Sequence, residues 1–146
     1  MELKLEVALI PVTDVDRTID FYRRLDFRLD ADFIVDDSYR VVQLTPPGST
    51  ASIIFGTGVT TSPAGSNDGL LLAVRDIEET RAEIAARGIE ISEVFHEAEV
   101  FIHPGTEHRI AGAHPEQATY GSYATFADPD GNRWIVQEVT DRLPGR

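Results

Sequence analysis

The sequence contains no cysteine, which excludes disulfide bonds, thiolate nucleophiles and thiolate metal ligands. It is also poor in positive charge: 13 Lys and Arg residues stand against 25 Asp and Glu, and the formal net charge is −12. Nucleic acids and anionic membranes both bind positive surfaces, so we expect neither as a partner. No apolar run is long enough to span a bilayer, and Met1-Glu2-Leu3-Lys4 does not resemble a signal peptide. We therefore expect a cytoplasmic protein.

Two stretches of the sequence share one pattern. Residues 7–14 form an apolar run that ends at Asp14, and residues 69–76 form an apolar run that ends in Arg75 and Asp76. Each Asp can cap the helix that follows it, and another strand comes next. The repeat predicts two copies of one supersecondary unit, each of which needs the other to cover its apolar face.

The hydrophobic pattern predicts β-α-β-β-β in both modules. The first module has predicted strands at 3–12, 27–35, 39–45 and 50–55, with a helix at 15–25. The second has predicted strands at 69–74, 90–95, 122–126 and 133–139, with a helix at 77–87. We expect a single α+β domain over residues 1–146: module 1 at 3–56, a linker at 57–67, module 2 at 68–140 with an insertion at 96–119, and a tail at 141–146.

A strong turn signal, Asp128-Pro129-Asp130-Gly131-Asn132, separates the last two predicted strands. Together with the repeated modules, it resembles the vicinal oxygen chelate superfamily. That superfamily includes glyoxalase I, extradiol dioxygenases, fosfomycin-resistance enzymes and bleomycin-resistance proteins. The resemblance covers nearly the whole chain and implies two modules side by side. Their curled, mixed sheets would form a cup with the helices outside, and the protein would be a homodimer.

The resemblance also implies four inward positions that usually hold a divalent metal. Carried over onto this sequence, these positions are Val7, Gly69, Ile135 and, on the fourth strand, Ile53 or a residue next to it. Such a metal needs imidazole, carboxylate or another oxygen donor, and none of these residues supplies one. We therefore predict no cofactor and no metal at these positions. A divalent metal elsewhere stays open, because Glu6 and Asp68 directly precede two of the positions and a register shift would turn them inward.

All four histidines lie in the insertion, at positions 96, 103, 108 and 114. Imidazole titrates near neutral pH, so this clustering favours an acid–base role, and we name His96 and His103 as the candidates. His96 ends a predicted strand and thus has a fixed position. The alternatives are a relocated metal site, although the spacing matches no short metal motif, and a polar surface loop.

Alternation of side chains along the strands predicts the lining of a small-molecule pocket. The pocket is mostly apolar, with a guanidinium at one end and an amide in reach. Its predicted members are Val7, Leu9, Ile53, Phe55, Gly69, Leu71, Tyr123, Arg133, Ile135 and Gln137.

Three hypotheses about function follow. In the first, the chain binds a small organic molecule in the apolar cup without the divalent metal, and His96 or His103 acts on it as an acid or base. The second is a bleomycin-resistance type of protein, which sequesters a cationic drug without catalysis. In the third, the protein is a metal-dependent lyase or dioxygenase whose displaced site uses Glu6, Asp68 or the insertion histidines.

Overall fold

The computed structural model describes residues 1–99 and 102–145, and these residues form an α+β fold as predicted. The elements of the first module are β1 (Val7–Leu9), α1 (Val15–Arg24), β2 (Arg28–Asp36), β3 (Tyr39–Thr45) and β4 (Ser52–Thr57). Those of the second are β5 (Asp68–Val74), α2 (Ile77–Ala86), β6 (Phe95–His96), β7 (Ile110–Ala111), β8 (Tyr123–Ala127) and β9 (Arg133–Glu138). No helix in the described residues is long and apolar enough to cross a membrane.

Each module builds its own sheet. In sheet A the strand order is β1-β4-β3-β2, and in sheet B it is β5-β9-β8-β6-β7. The chain divides into two compact units. Unit 1 is Met1–Asp68 together with Asp128–Arg133, and unit 2 is Gly69–Ala127 together with the residues from Trp134 onward. The turn at 128–132 thus belongs to unit 1, although its sequence lies in the second module.

Both helices begin at the predicted aspartates. The side chain of Asp14 accepts a hydrogen bond from the backbone N–H of Arg17 at 3.0 Å, and that of Asp76 accepts one from Glu79 at 2.9 Å. Each carboxylate satisfies an N–H group that a first helical turn leaves without a partner, and its charge complements the helix dipole. The repeat in the sequence therefore marks two equivalent helix starts.

The core of unit 1 lies between α1 and sheet A. Tyr22 of α1 is fully buried, and its ring lies 5.1 Å from that of Phe27 and 6.0 Å from that of Phe55. Val42 and Leu44 are also fully buried. Strand β4 therefore turns its Phe55 side chain towards the helix.

The turn at 128–132 is held by Asp128. Its Oδ1 accepts hydrogen bonds from the backbone N–H groups of Asp130 and Asn132, at 3.0 and 2.9 Å. Gly131 supplies the positive φ that the sequence predicts, at 98°. The Asn132 amide donates to Asp128 and also to the carbonyl oxygen of Pro11, which fixes the turn to the end of β1.

The predicted strand at 90–95 is wrong for most of its length. Only Phe95 and His96 form β6, and Ile91 makes an isolated bridge with Phe126. A short strand of the insertion, β7, pairs with β6 in the register Phe95–Ala111 and His96–Ile110. His96 nevertheless ends a strand, as predicted.

Candidate functional site

One face of sheet B carries an aromatic and apolar cluster, which we call the floor. Its buried members are Phe95, Tyr123 and Ile135, and Ile102 of the insertion packs against them. The rings of Phe95 and Tyr123 are stacked, with centroids 5.6 Å apart. The structure thus brings together two predicted pocket residues, Tyr123 and Ile135, and places part of the insertion over them.

Arg109 also brings the insertion onto the floor. Its guanidinium carbon lies 4.1 Å from the centroid of the Phe95 ring, within the range of a cation–π interaction. Its Nη2 donates a hydrogen bond to Oγ1 of Thr125 in β8, at 3.3 Å. Residues from both halves of the insertion, Ile102 and Arg109, therefore contact this face of the sheet.

The floor continues into an open groove, which we call the sheet-B groove. Its volume is about 240 Å³, and it is lined by Leu71, Ala73, Tyr120, Gln137, Val139, Arg142 and Leu143. Two predicted pocket residues, Leu71 and Gln137, meet here. Gln137 lies two positions after Ile135 on β9, so the alternation of side chains puts both on the same face.

Gln137 and Tyr123 are two of the polar side chains on this face. The amide nitrogen of Gln137 donates a hydrogen bond to the carbonyl oxygen of Tyr120 at 2.9 Å. Burial raises the pKa of Tyr123 above its ordinary value and outweighs a hydrogen bond with the Gln137 side chain, which lowers it. The negative charge of Glu97 raises it further. The Tyr123 hydroxyl therefore stays in its neutral form.

The four histidines form two pairs rather than one cluster. His96 and His114 have ring centroids 5.8 Å apart, and His96 Nδ1 lies 2.8 Å from the carbonyl oxygen of Gly112. His103 and His108 have centroids 4.2 Å apart. Phe95 belongs to the floor, and His96 follows it in β6, so alternation turns His96 away from the floor. The two predicted acid–base residues thus have different surroundings.

His103 bonds to a carboxylate that sequence reasoning did not single out, Glu97. Glu97 is 2% exposed, and its Oε2 lies 2.5 Å from His103 Nδ1. Both of its oxygens accept hydrogen bonds from the His103 backbone N–H, at 3.1 and 3.0 Å. Burial raises the pKa of Glu97, but the hydrogen bonds from His103 and the charges of His103 and His108 together hold it below its ordinary value of 4.5.

The four positions that the resemblance assigns to a metal do not fit one. Val7, Ile53 and Ile135 present only carbon, and Gly69 has no side chain and adopts a φ of 108°. Among the described residues, no group of three or more His, Asp or Glu side chains is arranged to hold a metal ion. Hard and borderline cations need oxygen or imidazole donors, so we assign no metal chemistry to these positions.

Asp68 and Arg133 are bonded to each other. Nε of Arg133 donates to Oδ1 of Asp68, and the Arg133 side chain is 29% exposed. The guanidinium predicted at one end of the pocket therefore forms an ion pair within unit 1. The same ion pair engages Asp68, one of the two carboxylates considered as displaced metal ligands.

The pocket members predicted in module 1 face two directions. Phe55 contacts Tyr22 of α1, and alternation turns Ile53 the same way, so the prediction that both face the pocket is wrong. Leu9 is paired with Ile54 and is 50% exposed, whereas Ile10 beside it is fully buried. Val7 and Leu9 therefore lie on the side of sheet A away from α1, together with Ile54.

Comparisons with known proteins agree with this architecture. The sequence profile of the Glyoxalase/Bleomycin resistance protein/Dioxygenase superfamily matches residues 4–136, and the chain belongs to this superfamily. No protein of curated function matches the chain.

Several solved structures share the fold. One is TnmS3, an antibiotic binding protein from Streptomyces sp. CB03234, at 26% identity and a TM-score of 0.67, covering 94% of this chain and 97% of that one. A second, from the same organism, is a glyoxalase/bleomycin resistance protein at 26% identity and a TM-score of 0.64, covering 92% of this chain and 100% of that one. A superfamily member from Sphaerobacter thermophilus DSM 20745 shows the same fold at 23% identity and a TM-score of 0.66, covering 94% of this chain and 98% of that one.

Proposed function

We propose that the protein binds a small organic molecule in the sheet-B groove and does so without a divalent metal. The observation that carries this proposal is the meeting of Leu71 and Gln137, both predicted pocket residues, in one groove beside the floor. An apolar wall with a few polar groups is the usual composition of a small-molecule site. The likeness to an antibiotic binding protein over nearly the full length of both chains supports the same class of function.

The groove indicates what kind of ligand it takes. Its volume of about 240 Å³ is slightly below the roughly 300–1,000 Å³ of typical small-molecule sites. A second groove of about 380 Å³ shares Ala73, Val139 and Arg142 with it and adds Arg75 and Asp141. We therefore expect a ligand with an apolar body on Leu71 and a polar or charged end near Arg142.

A thermal-shift screen followed by calorimetry tests the proposal. A panel of small antibiotics with an apolar body and a polar or anionic end supplies the probes, and we expect at least one to raise the melting temperature. Its affinity should fall at least tenfold in Leu71→Arg, because the arginine fills the groove and charges its apolar wall. Ile110→Arg is the matched control, since Ile110 is 46% exposed against 47% for Leu71 and does not line the groove. Equal affinity in the two variants, or no binding by any probe, would contradict the proposal.

Recovering the ligand after incubation with the protein distinguishes a protein that only binds it from an enzyme that alters it. We propose sequestration without turnover as the second candidate function, because the related TnmS3 is described as an antibiotic binding protein. Mass spectrometry of a ligand incubated with the protein should then recover it intact. A modified ligand would favour an acid–base enzyme instead.

The predicted homodimer and cytoplasmic location stay predictions.

A further inference from the structure

The insertion holds a carboxylate–imidazole pair that binding in the sheet-B groove leaves unused. The Glu97 side chain is 2% exposed, whereas that of His103 is 42% exposed. Oε2 of Glu97 lies 2.5 Å from Nδ1 of His103. One partner is thus fixed inside the protein and the other reaches solvent.

The geometry determines which nitrogen of His103 can react. An ionised carboxylate only accepts hydrogen bonds, so the bond to Glu97 places a proton on Nδ1. The lone pair of the neutral ring is then on Nε2, the nitrogen opposite the buried carboxylate. Two further hydrogen bonds, from the His103 backbone N–H to both oxygens of Glu97, hold the carboxylate in position. The ring of His108, with its centroid 4.2 Å away, packs against the His103 ring.

The pair is also connected to the predicted ligand site. The charge of Glu97 acts on the Tyr123 hydroxyl, and Tyr123 hydrogen-bonds to Gln137, which lines the sheet-B groove. Tyr123 and Phe95 both belong to the floor.

We propose that Glu97 and His103 form a general-base dyad that activates water for attack on small activated esters. Nε2 of His103 takes a proton from a water molecule, and the water oxygen bonds to the acyl carbon. The bond from that carbon to the leaving oxygen then breaks, and the proton on Nε2 passes to the leaving group or to solvent. Glu97 is the positioning residue, since it fixes the tautomer of His103 and stabilises the imidazolium that forms.

Hydrolysis of p-nitrophenyl acetate by the wild-type protein tests the dyad, and it does not require a ligand of the groove. General-base catalysis contributes roughly 10²–10⁴-fold, so His103→Gln should lose at least tenfold of the protein-dependent rate. His114→Gln, which changes a histidine of the other pair, should keep the wild-type rate. Glu97→Gln should lose most of the rate and Glu97→Asp should recover part of it, because the aspartate restores the negative acceptor. The wild-type rate should also be slower in D₂O, because a proton moves in the step.

A wild-type experiment covers the case in which a variant fails to fold. Diethyl pyrocarbonate acylates neutral imidazole, and mass spectrometry shows which histidine is modified. Loss of hydrolysis should follow the modification of His103. Full hydrolysis after His103 is modified, a folded His103→Gln protein with the wild-type rate, or equal rates in H₂O and D₂O would each overturn the proposal.

Discussion

The hydroxyl of Tyr22 donates a hydrogen bond to Oδ2 of Asp128 at 3.0 Å, although the two residues lie 106 positions apart in the chain. Both are buried, and Asp128 also accepts bonds from the backbone and side chain of Asn132. A buried carboxylate is tolerated where hydrogen bonds satisfy it. This contact joins α1 to the turn at 128–132 and explains why that turn belongs to unit 1.

Tyr22→Phe should destabilise the protein, because it removes the hydroxyl and leaves the buried carboxylate with one donor fewer. Hydrogen bonds to charged groups contribute about 1.5–3 kcal/mol, and we expect a loss of that size in urea unfolding. Tyr39→Phe is the control: Tyr39 is 43% exposed, so its loss should stay within about 0.5 kcal/mol. Equal losses in the two variants would show that the Tyr22 hydroxyl contributes nothing specific.

Glu97→Gln should change how stability depends on pH. The pKa of Glu97 is below its ordinary value of 4.5 in the folded chain, because the bonds and charge of His103 outweigh its burial. A lowered folded pKa means that the ionised carboxylate stabilises the fold above about pH 4.5 and that this contribution is lost as the pH falls through the folded pKa. Unfolding free energies measured at pH 7 and below pH 4.5 should therefore differ less in Glu97→Gln than in the wild type.

The control for this prediction is Glu107→Gln, an exposed glutamate of the same insertion. It should keep the pH dependence of the wild type. An unchanged pH dependence in Glu97→Gln would contradict the role of Glu97 as a buried, ionised partner of His103.

Arg109→Met should loosen the insertion over the floor. The guanidinium lies 4.1 Å from the Phe95 ring centroid, and such a contact is worth roughly 0.5–2 kcal/mol, most where it is desolvated. Arg24→Met is matched to it, because Arg24 stands over Phe21 at the longer distance of 5.6 Å on an exposed helix position. We expect faster amide hydrogen exchange around Ile102 in Arg109→Met and not in Arg24→Met. Identical exchange in the two variants would show that Arg109 does not hold the insertion.

Local sequence signals predicted the parts of the fold that depend on near neighbours. Asp14 and Asp76 cap their helices by accepting hydrogen bonds from residues three positions further along. Gly131 supplies the positive φ that its own turn requires. Capping and turn chemistry need no knowledge of distant contacts. The repeat then indicated that the chain contains two modules that begin with the same elements.

Contacts between distant residues could not be read in the same way. Strand β6 covers only Phe95 and His96, and one of its partners, β7, comes from within the insertion, where the sequence shows no strand pattern. Ile53 and Phe55 were assigned to the wrong face because the repeat located the metal-equivalent position of β4 only to within one residue, and one residue reverses a strand's facing. Leu9 pairs with Ile54, so Ile54 rather than Ile53 lies on the face of β4 away from α1.

The structure places Leu71 and Gln137 in the sheet-B groove and Tyr123 and Ile135 in the floor. That these residues bind a ligand stays a prediction. Glu97 was missed because a buried carboxylate and a solvated one look the same in sequence. Its position one residue after His96, at the end of a strand, is the only signal that marked it.

Calorimetric titration of the best antibiotic from the screen, before and after the protein is dialysed against EDTA, tests the central claim most directly. Val7, Gly69 and Ile135 offer no metal donor, and neither does Ile54, the residue of β4 that pairs with Leu9. The affinity should therefore be unchanged by the chelator and by added Zn²⁺ or Mn²⁺. It should fall at least tenfold in Leu71→Arg. Binding that disappears with EDTA and returns with metal would contradict the account, and it would make a metal centre the core of the site.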